Sequence, residues 1–340
     1  KKLLGKSTCK KHYFTFMKKK YLNIACIGAG KHAFKNTIPT LLDLNLFKLV
    51  GIYKRNIKKD EKKLVIPKCK ISNDLNTILN IKNLDAVYIS STPNTHYNLS
   101  RRALLLNKHV IVEKPAVINL SQAKKLRSLA NKRKLVIMEA FMYKHHHQFK
   151  VLLDFLNKIK DKKIKISSTF GFPHLDKLDF RYDIKSGGGA LLDAGSYAIS
   201  SIINLSKKKI FLDKADIIYN DYNVDLKGFA KFLSIDGSEF KANWYFGGKY
   251  KNQISIKYEK KLIIIDRAFS KPNNLTTKID FYENNRLTKS QKIKKDNHFK
   301  NMFIFFYKCC SIEHLRLNQS IELFQQAKFL NDISLMGKKH

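Results

Sequence analysis

The segment Ile24-Ala-Cys-Ile-Gly-Ala-Gly-Lys-His-Ala-Phe34 limits what this chain can fold into more than any other stretch. It reads as an apolar strand, then Gly28-x-Gly30-x-x-Ala33, then the start of a helix. Gly28 permits a tight turn, Gly30 lets the backbone approach a pyrophosphate, and Ala33 is small enough for close helix–strand packing. The helix N-terminus offers unpaired N–H groups and the positive end of its dipole to phosphates. Lys31 and His32, at the mouth of the turn, are candidate contacts for the same ligand.

Short Val/Ile-rich runs then alternate with helical stretches. After a first strand at 23–27, residues 48–53, 85–90, 109–112 and 135–139 read as strands, with helices over 32–44, 95–106 and 121–131. Near-continuous apolar strands separated by helices predict a parallel sheet covered on both faces. Asn119 and Gln122 have the spacing of a capping pair for the third helix. Beyond about residue 150 the pattern changes. A helix at 149–159 and a strand at 164–172 lead into a glycine-rich turn and a helix at 190–205. Strands with period-two alternation follow. Asp236-Gly237 marks a hairpin, and Phe240, Ala242, Trp244 and Phe246 share one face. Helices at 298–310 and 320–333 close the chain.

The expected fold class is therefore α/β: an N-terminal Rossmann parallel sheet plus a C-terminal α+β domain with a large, mostly antiparallel sheet. The expected division is a basic, flexible extension over residues 1–19, a dinucleotide-binding domain over 20–145, and a substrate-binding and oligomerisation domain over 146–335. Met17 followed by Lys-Lys-Lys-Tyr resembles a natural start, which makes residues 1–16 an upstream extension.

The 340 residues suffice for two domains with cores of their own. No apolar run reaches the roughly 18 residues that a membrane-spanning helix needs. A formal net charge of +39 invites a nucleic-acid reading, yet only nine of the 66 basic residues are arginine. Phosphate and base recognition favours the planar arginine fork. Lysine spread along the whole chain reads as compositional bias, although such a surface attracts anionic small molecules. Cys9, Cys26, Cys69, Cys309 and Cys310 form no C-x-x-C pair, which points to a reducing cytoplasm, with Cys26 as a core residue. His145, His146 and His147 are consecutive; on a helix they point about 100° apart and cannot converge on one metal ion.

The second strand ends Gly51-Ile-Tyr-Lys54-Arg55-Asn56, with no carboxylate before Asp60. An NAD site usually carries an acid there for the adenosine ribose, whereas Lys54 and Arg55 suit the 2′-phosphate of NADP. NADP is the expected cofactor, with NAD as the alternative.

Two further motifs follow strands: Ser90-Ser91-Thr92-Pro93-Asn94-Thr-His96, and His109-Val-Ile-Val-Glu113-Lys114-Pro115. With the glycine turn, and with Gly187-Gly-Gly-Ala-Leu-Leu-Asp193-Ala-Gly-Ser-Tyr197 in the second half, they resemble the Gfo/Idh/MocA oxidoreductase family. The resemblance implies that Lys114 contacts the reacting oxygen and that Asp193 and Tyr197 complete the catalytic set. It further implies that Ser91, Thr92, Pro93, Asn94, His96, Glu113 and Lys114 border the cofactor. The chemistry agrees. Hydride reduction of a ketone builds negative charge on its oxygen, so a fixed cation or donor is needed there, with a proton source in reach. Lys114 ends a strand where open α/β sheets place ligands, and Pro115 aims it through a bond open to the cis form. Many family members carry histidine where this chain has Tyr197; a phenol can donate instead if a nearby ammonium lowers its pKa. Asp193 would partner Lys114 or a substrate hydroxyl. Tyr143 and Lys144 are candidate substrate ligands, as are Arg181 and Asp183, which could equally pair with each other.

The expected reaction is hydride transfer between NADP(H) and a hydroxyl or ketone of a sugar. Resemblance is greatest to members that reduce nucleotide-linked keto-sugars. An NADP-dependent aldose or trans-dihydrodiol dehydrogenase is the alternative, and a non-catalytic binding protein on the same fold is the reading from another class. The family also implies a homodimer or homotetramer, formed over the outer face of the C-terminal sheet if that face is as apolar as Trp244 suggests.

Overall fold

The computed structural model describes residues 19–56, 66 and 68–337. The expected upstream extension at 1–16, with Cys9 and Met17, lies outside them, as does Asp60. The first sheet consists of β1 (Leu22–Ile27), β2 (Phe47–Tyr53), β3 (Lys70–Ser72), β4 (Ala86–Ile89), β5 (His109–Val112) and β6 (Ile137–Glu139). Their order is β3-β2-β1-β4-β5-β6, and every pairing is parallel. A π-helical turn, Ala33–Thr37, leads into α1 (Ile38–Asp43); α2 (Leu75–Leu79), α3 (Pro93–Leu105) and α4 (Leu120–Lys132) follow. Ile24 and Cys26 enter one apolar layer, Ala25 and Ile27 the other. That double burial is why the strand shows no polar alternation in sequence.

Sequence order reverses on either side of β1, between β2 and β4, so the loops after β1 and β4 diverge and open a crevice over the C-terminal strand ends. Pro93 opens α3, where its missing N–H is harmless. The capping pair of α4 is reciprocal: Asn119 Oδ1 accepts from Gln122 N at 3.0 Å, and Gln122 Oε1 accepts from Ile118 N at 3.1 Å. Only β3 and α2, three and five residues long, escape the sequence reading, being too short to show a period.

The chain passes to the second half over a 3₁₀ turn, Met142–His145, and then α5 (His147–Lys158). The second sheet holds β7 (Lys165–Phe172), β8 (Ile210–Tyr219), β9 (Asp225–Ser234), β10 (Glu239–Phe246), β11 (Lys251–Tyr258), β12 (Lys261–Asp266), β13 (Thr277–Glu283) and β14 (Arg286–Ile293). Its order is β14-β13-β12-β11-β7-β10-β9-β8, antiparallel except for β7 with β10. A second π-helical turn, Leu191–Gly195, runs into α6 (Ser196–Leu205), which lies across β7 and β10. Two helices, α7 (His298–Cys309) and α8 (Glu313–Met336), close the fold.

One expectation is corrected. Phe240, Ala242, Trp244 and Phe246 are buried within the chain itself, with the Trp244 ring packed so closely on Gly195 and Gly228 that a Cβ at either would press on it. The opposite face, with Lys241, Asn243 and Tyr245 on β10 beside Lys231, Phe229 and Lys227 on β9, is mixed rather than apolar. A second difference concerns α7. Its Phe303 and Phe306 stack around Phe47 of β2, and Phe303 meets Tyr88 of β4. The first sheet is therefore partly covered by the end of the chain. No helix among the described residues is long and apolar enough to cross a membrane.

Candidate active site

At the lip of the crevice, Gly28 adopts φ +85°, and its N–H donates to Tyr53 O at 3.0 Å, which locks the turn to the end of β2. A Cβ on Gly28 would lie 2.8 Å from Ser91, so glycine is needed both for the conformation and for the approach of the β4 loop. Gly30 differs: a Cβ there meets nothing within 4 Å, leaving open space above the turn. Phe34 N donates to Gly30 O at 3.1 Å, so the N–H groups of Lys31 and His32 precede that first helical bond. Lys54 and Arg55 follow β2 directly beside this turn, and no carboxylate stands among residues 53–56. Open space over aligned N–H groups, with cations at the ribose end, suits a dinucleotide carrying an extra phosphate.

The other residues expected at the cofactor divide into two groups. His32, half-exposed, lies 3.7 Å from Glu113 Oε1 and packs on Phe299. Glu113 also accepts from Tyr88 Oη at 2.6 Å, and Thr37 Oγ1 donates to the same Oη at 3.1 Å. Thus Glu113 stands at the crevice floor within a bonded chain. Ser91 and Thr92 lie on the β4 loop, Ser91 Oγ 2.6 Å from Thr95 Oγ1 and Thr92 Oγ1 donating to Asn94 Oδ1 at 2.8 Å. Pro93 is buried, and Asn94 Nδ2 donates to Lys185 O at 2.8 Å, joining this loop to the second half of the chain. His96 lies beneath these loops. It is 1% exposed, with Nδ1 2.8 Å from Pro115 O and Nε2 3.0 Å from Ser91 O. Its ring ties the β4 loop to the β5 loop and does not face the crevice.

The chemical center lies where the β5 loop meets the second π turn. The Lys114–Pro115 bond is cis. Lys114 Nζ donates to Asp193 O at 3.1 Å and pairs with Asp193 Oδ1. Arg181 Nε donates to Asp193 Oδ2 at 2.7 Å, so one carboxylate holds two cations. Burial alone would push the Asp193 carboxyl up, but Lys114 and Arg181 outweigh it and hold it below its ordinary value. Lys114 Nζ also lies 4.8 Å from the center of the Tyr197 ring.

Tyr197 departs from expectation in one respect. Its hydroxyl is buried and donates to Met142 Sδ at 3.4 Å, amid Phe141, Phe170 and Phe269. The ammonium of Lys114 faces the ring rather than the oxygen. Burial, with the charges of Glu113 and Asp193, raises the phenol pKa well above its usual value instead of lowering it.

The four expected substrate ligands are already engaged. Tyr143 is wholly buried, its hydroxyl 2.9 Å from Ser200 Oγ, and burial raises its pKa. Lys144 pairs with Glu322 on α8. Arg181 grips Asp193 and also Asp179, 3.1 Å from Nη1, and so does not pair with Asp183. Asp183 instead accepts from Lys185 N at 2.9 Å and Ser186 Oγ at 2.5 Å, closing its own turn. Each of the four thus has a partner within the chain, far away in sequence or in its own loop.

Three residues missed in the sequence matter here. Asp179 is the second anchor of Arg181. Met142 Sδ accepts the hydrogen bond of the Tyr197 hydroxyl. Asp225 accepts from Leu191 N at 2.5 Å, and a Cβ on Gly189 would lie 2.0 Å from its Oδ1. Gly189, at φ +113°, lets that carboxylate hold the turn bearing Asp193. The triple glycine signals a tight approach in sequence, but nothing there names Asp225 as the group approaching.

Residues 22–141 match the model of the oxidoreductase family with an NAD-binding Rossmann fold. A dTDP-3,4-didehydro-2,6-dideoxy-alpha-D-glucose 3-reductase from Saccharopolyspora spinosa is 27% identical over 256 residues, 75% of this chain and 77% of the relative. The enzyme of the same name from Streptomyces antibioticus is 25% identical over 268 residues, 78% and 82% of the two chains. Among solved structures, a 3-ketoreductase from Actinomadura kijaniata in complex with NADP and TDP-benzene shares the fold with a TM-score of 0.86, over 93% of this chain and 98% of that one, at 22% identity. The chain is thus similar to this oxidoreductase family through its first sheet, and to the 3-reductases over about three quarters of its length.

Proposed function

We propose that this protein is an NADP-dependent ketoreductase acting on a nucleotide-linked keto-sugar. Residues 20–145 would hold the cofactor and 146–335 the sugar. The observation that carries the reading is the Lys114–Asp193–Arg181 ion cluster at the end of β5, one loop away from a glycine turn flanked by Lys54 and Arg55. The names of the relatives favour the keto-sugar over an aldose or a dihydrodiol.

Bound NADPH supplies the hydride. Lys114 carries three ammonium protons, and two point to Asp193, which leaves one for the oxygen of a ketone. As hydride adds, charge grows on that oxygen and the fixed ammonium stabilises it. Asp193 and Arg181 keep Nζ from swinging away. Tyr197 retains its proton across the physiological range because its pKa is raised. The O–H is hydrogen-bonded only to a thioether, a weak acceptor, so a substrate oxygen can compete for it. Tyr197 is thus the proposed proton donor. The mixed outer face of the second sheet, with Leu233 and Ile264 among lysines, is the proposed contact between copies, and the cytoplasm the proposed compartment.

Fluorescence titration tests the cofactor half. NADPH should bind at least about tenfold more tightly than NADH, and Lys54→Ala with Arg55→Ala should erase the preference. Equal affinities in the unaltered protein would remove the argument. Following loss of NADPH absorbance with dTDP-linked 3-keto-sugars, against aldoses, tests the substrate half.

A further inference from the structure

Strand β5 ends at Val112, and its ladder with β6 ends there too, Val112 facing Glu139. The peptide group joining Pro115 to Ala116, directly after Lys114, lies past that ladder, so its C=O and N–H need partners of another kind. Each is met by a side chain. Pro115 O lies 2.8 Å from His96 Nδ1 on α3, and Ala116 N donates to Glu139 Oε1 at 2.8 Å, from the end of β6. Ala116 is buried, so an N–H deprived of that acceptor would be costly.

Register places Glu139 for this contact. Its backbone pairs with Val112, ahead of Lys114, and its side chain reaches Ala116, behind it. One residue thus fastens both ends of the stretch 112–116, with Lys114 at its center, while Asp193 holds the far tip of the lysine. Glu139 itself joins no ion pair among the described residues. Lys144, which borders the same small cavity of about 20 Å³, is taken by Glu322 of α8. Burial pushes the Glu139 carboxyl up to about 7; the Ala116 N–H, Lys144 and Lys114 oppose that rise, and Glu113 adds to it. Near neutrality the acid therefore spends part of its time uncharged. What Ala116 requires of it is an oxygen at the right reach rather than a charge.

We propose that Glu139 is a positioning residue for Lys114. By holding the Pro115–Ala116 peptide opposite His96, it fixes where the lysine leaves the β5 loop, and so where its ammonium meets the substrate oxygen. The role rests on the ketoreductase reading of the crevice. Glu139 acts through Lys114, so its loss should be felt in kcat rather than in KM. A misplacement of about 1 Å at a reacting group can cost about 10²-fold in rate.

Two substitutions separate reach from charge. Glu139→Asp keeps the charge and shortens the side chain by a methylene; Glu139→Gln keeps the reach and gives up the charge. With NADPH and a dTDP-linked 3-keto-sugar, Glu139→Asp should lower kcat about tenfold, with KM and NADPH affinity each within about threefold. Glu139→Gln should keep kcat within about threefold of the unaltered protein. Hydrogen-exchange mass spectrometry on the full chain with NADPH reads the anchor without any substrate. Exchange at the Ala116 amide should quicken at least about tenfold in Glu139→Asp and hold steady in Glu139→Gln. Pro115 carries no amide proton, which isolates the signal. An unchanged kcat in Glu139→Asp, a Glu139→Gln variant as slow as it, or a rise in KM in place of the fall in kcat overturns the proposal. So does Ala116 exchange that Glu139→Asp leaves unmoved. If the unaltered protein reduces no keto-sugar while Ala116 exchanges as expected, the substrate reading fails alone and the anchor of the Lys114 loop stands.

Discussion

The two walls of the crevice are built by different means. On the cofactor side, the working atoms are largely backbone: the turn at Gly28, the space over Gly30 and the N–H groups ahead of Phe34. On the substrate side they are side chains held by ion pairs between separate segments, Lys114 from the β5 loop, Arg181 from a 3₁₀ turn and Asp193 from a π turn. A backbone site needs particular residues only where the chain must bend or approach closely, so it is written in a contiguous motif. A site made of paired charges depends on which partners the fold delivers, and the same residue type can serve as ligand or as strut.

Removing Lys114 should separate the walls most sharply. Lys114→Ala takes away the proposed donor to the reacting oxygen, and turnover should fall about 10²- to 10³-fold. NADPH affinity, measured by fluorescence, should stay within about threefold, because the cofactor rests on the opposite wall. Loss of both together would mean that the walls are not independent. Tyr197→Phe should come next, lowering kcat by about 10²-fold while KM changes little. The raised phenol pKa means that kcat should show no basic limb from Tyr197 below pH 9. A limb near neutrality that disappears in the phenylalanine variant would contradict the buried, protonated state described here.

Arg181 tests whether a residue on the substrate wall is ligand or strut. As the second grip on Asp193, it should act through Lys114, so Arg181→Ala should lower kcat by about tenfold with little change in KM. A rise in KM alone would restore it to the substrate. The pH dependence has a definite sign. Asp193 has a folded pKa below its unfolded value, so its pairs add stability that is present above the ordinary carboxylate range and is lost as pH falls through the lowered value. Without Arg181 that loss should begin at higher pH, which acid-unfolding midpoints would record.

Legibility in the sequence follows the same division. The parallel sheet was readable because Ile24 to Ile27 and Val110 to Val112 are buried on both faces and alternate with helices, one of them capped by Asn119. The Asp236-Gly237 hairpin was readable because the turn requires those residues, and Gly237 has φ +79°. Trp244 was placed on the right strand face, but whether helices or another subunit cover that face is not a local property. Lys144 and Tyr143 stand in a segment that ends at the crevice, yet Glu322 and Ser200, which claim them, lie far along the chain. His96 sits within a cofactor-lining motif but points inward, since helical geometry of α3 turns it under the loop it follows.

That histidine offers the smallest and most discriminating test. His96 joins the carbonyl of Ser91, on the lip of the crevice, to the carbonyl of Pro115, next to Lys114. A neutral imidazole has only one N–H for these two acceptors, while burial, the largest influence, lowers its pKa and the two carbonyls oppose that shift. If the clamp is structural, His96→Ala should lower stability by about 1 to 3 kcal/mol, the range for losing a buried hydrogen-bonding group. Its effect on kinetics should be small and shared: a few-fold weaker NADPH and a few-fold slower kcat, since both loops loosen together. A cofactor ligand would behave differently, with NADPH affinity falling while the unfolding midpoint in denaturant stayed put. The paired measurement therefore decides whether the two walls of the crevice, so unlike in construction, are held in register by one buried ring.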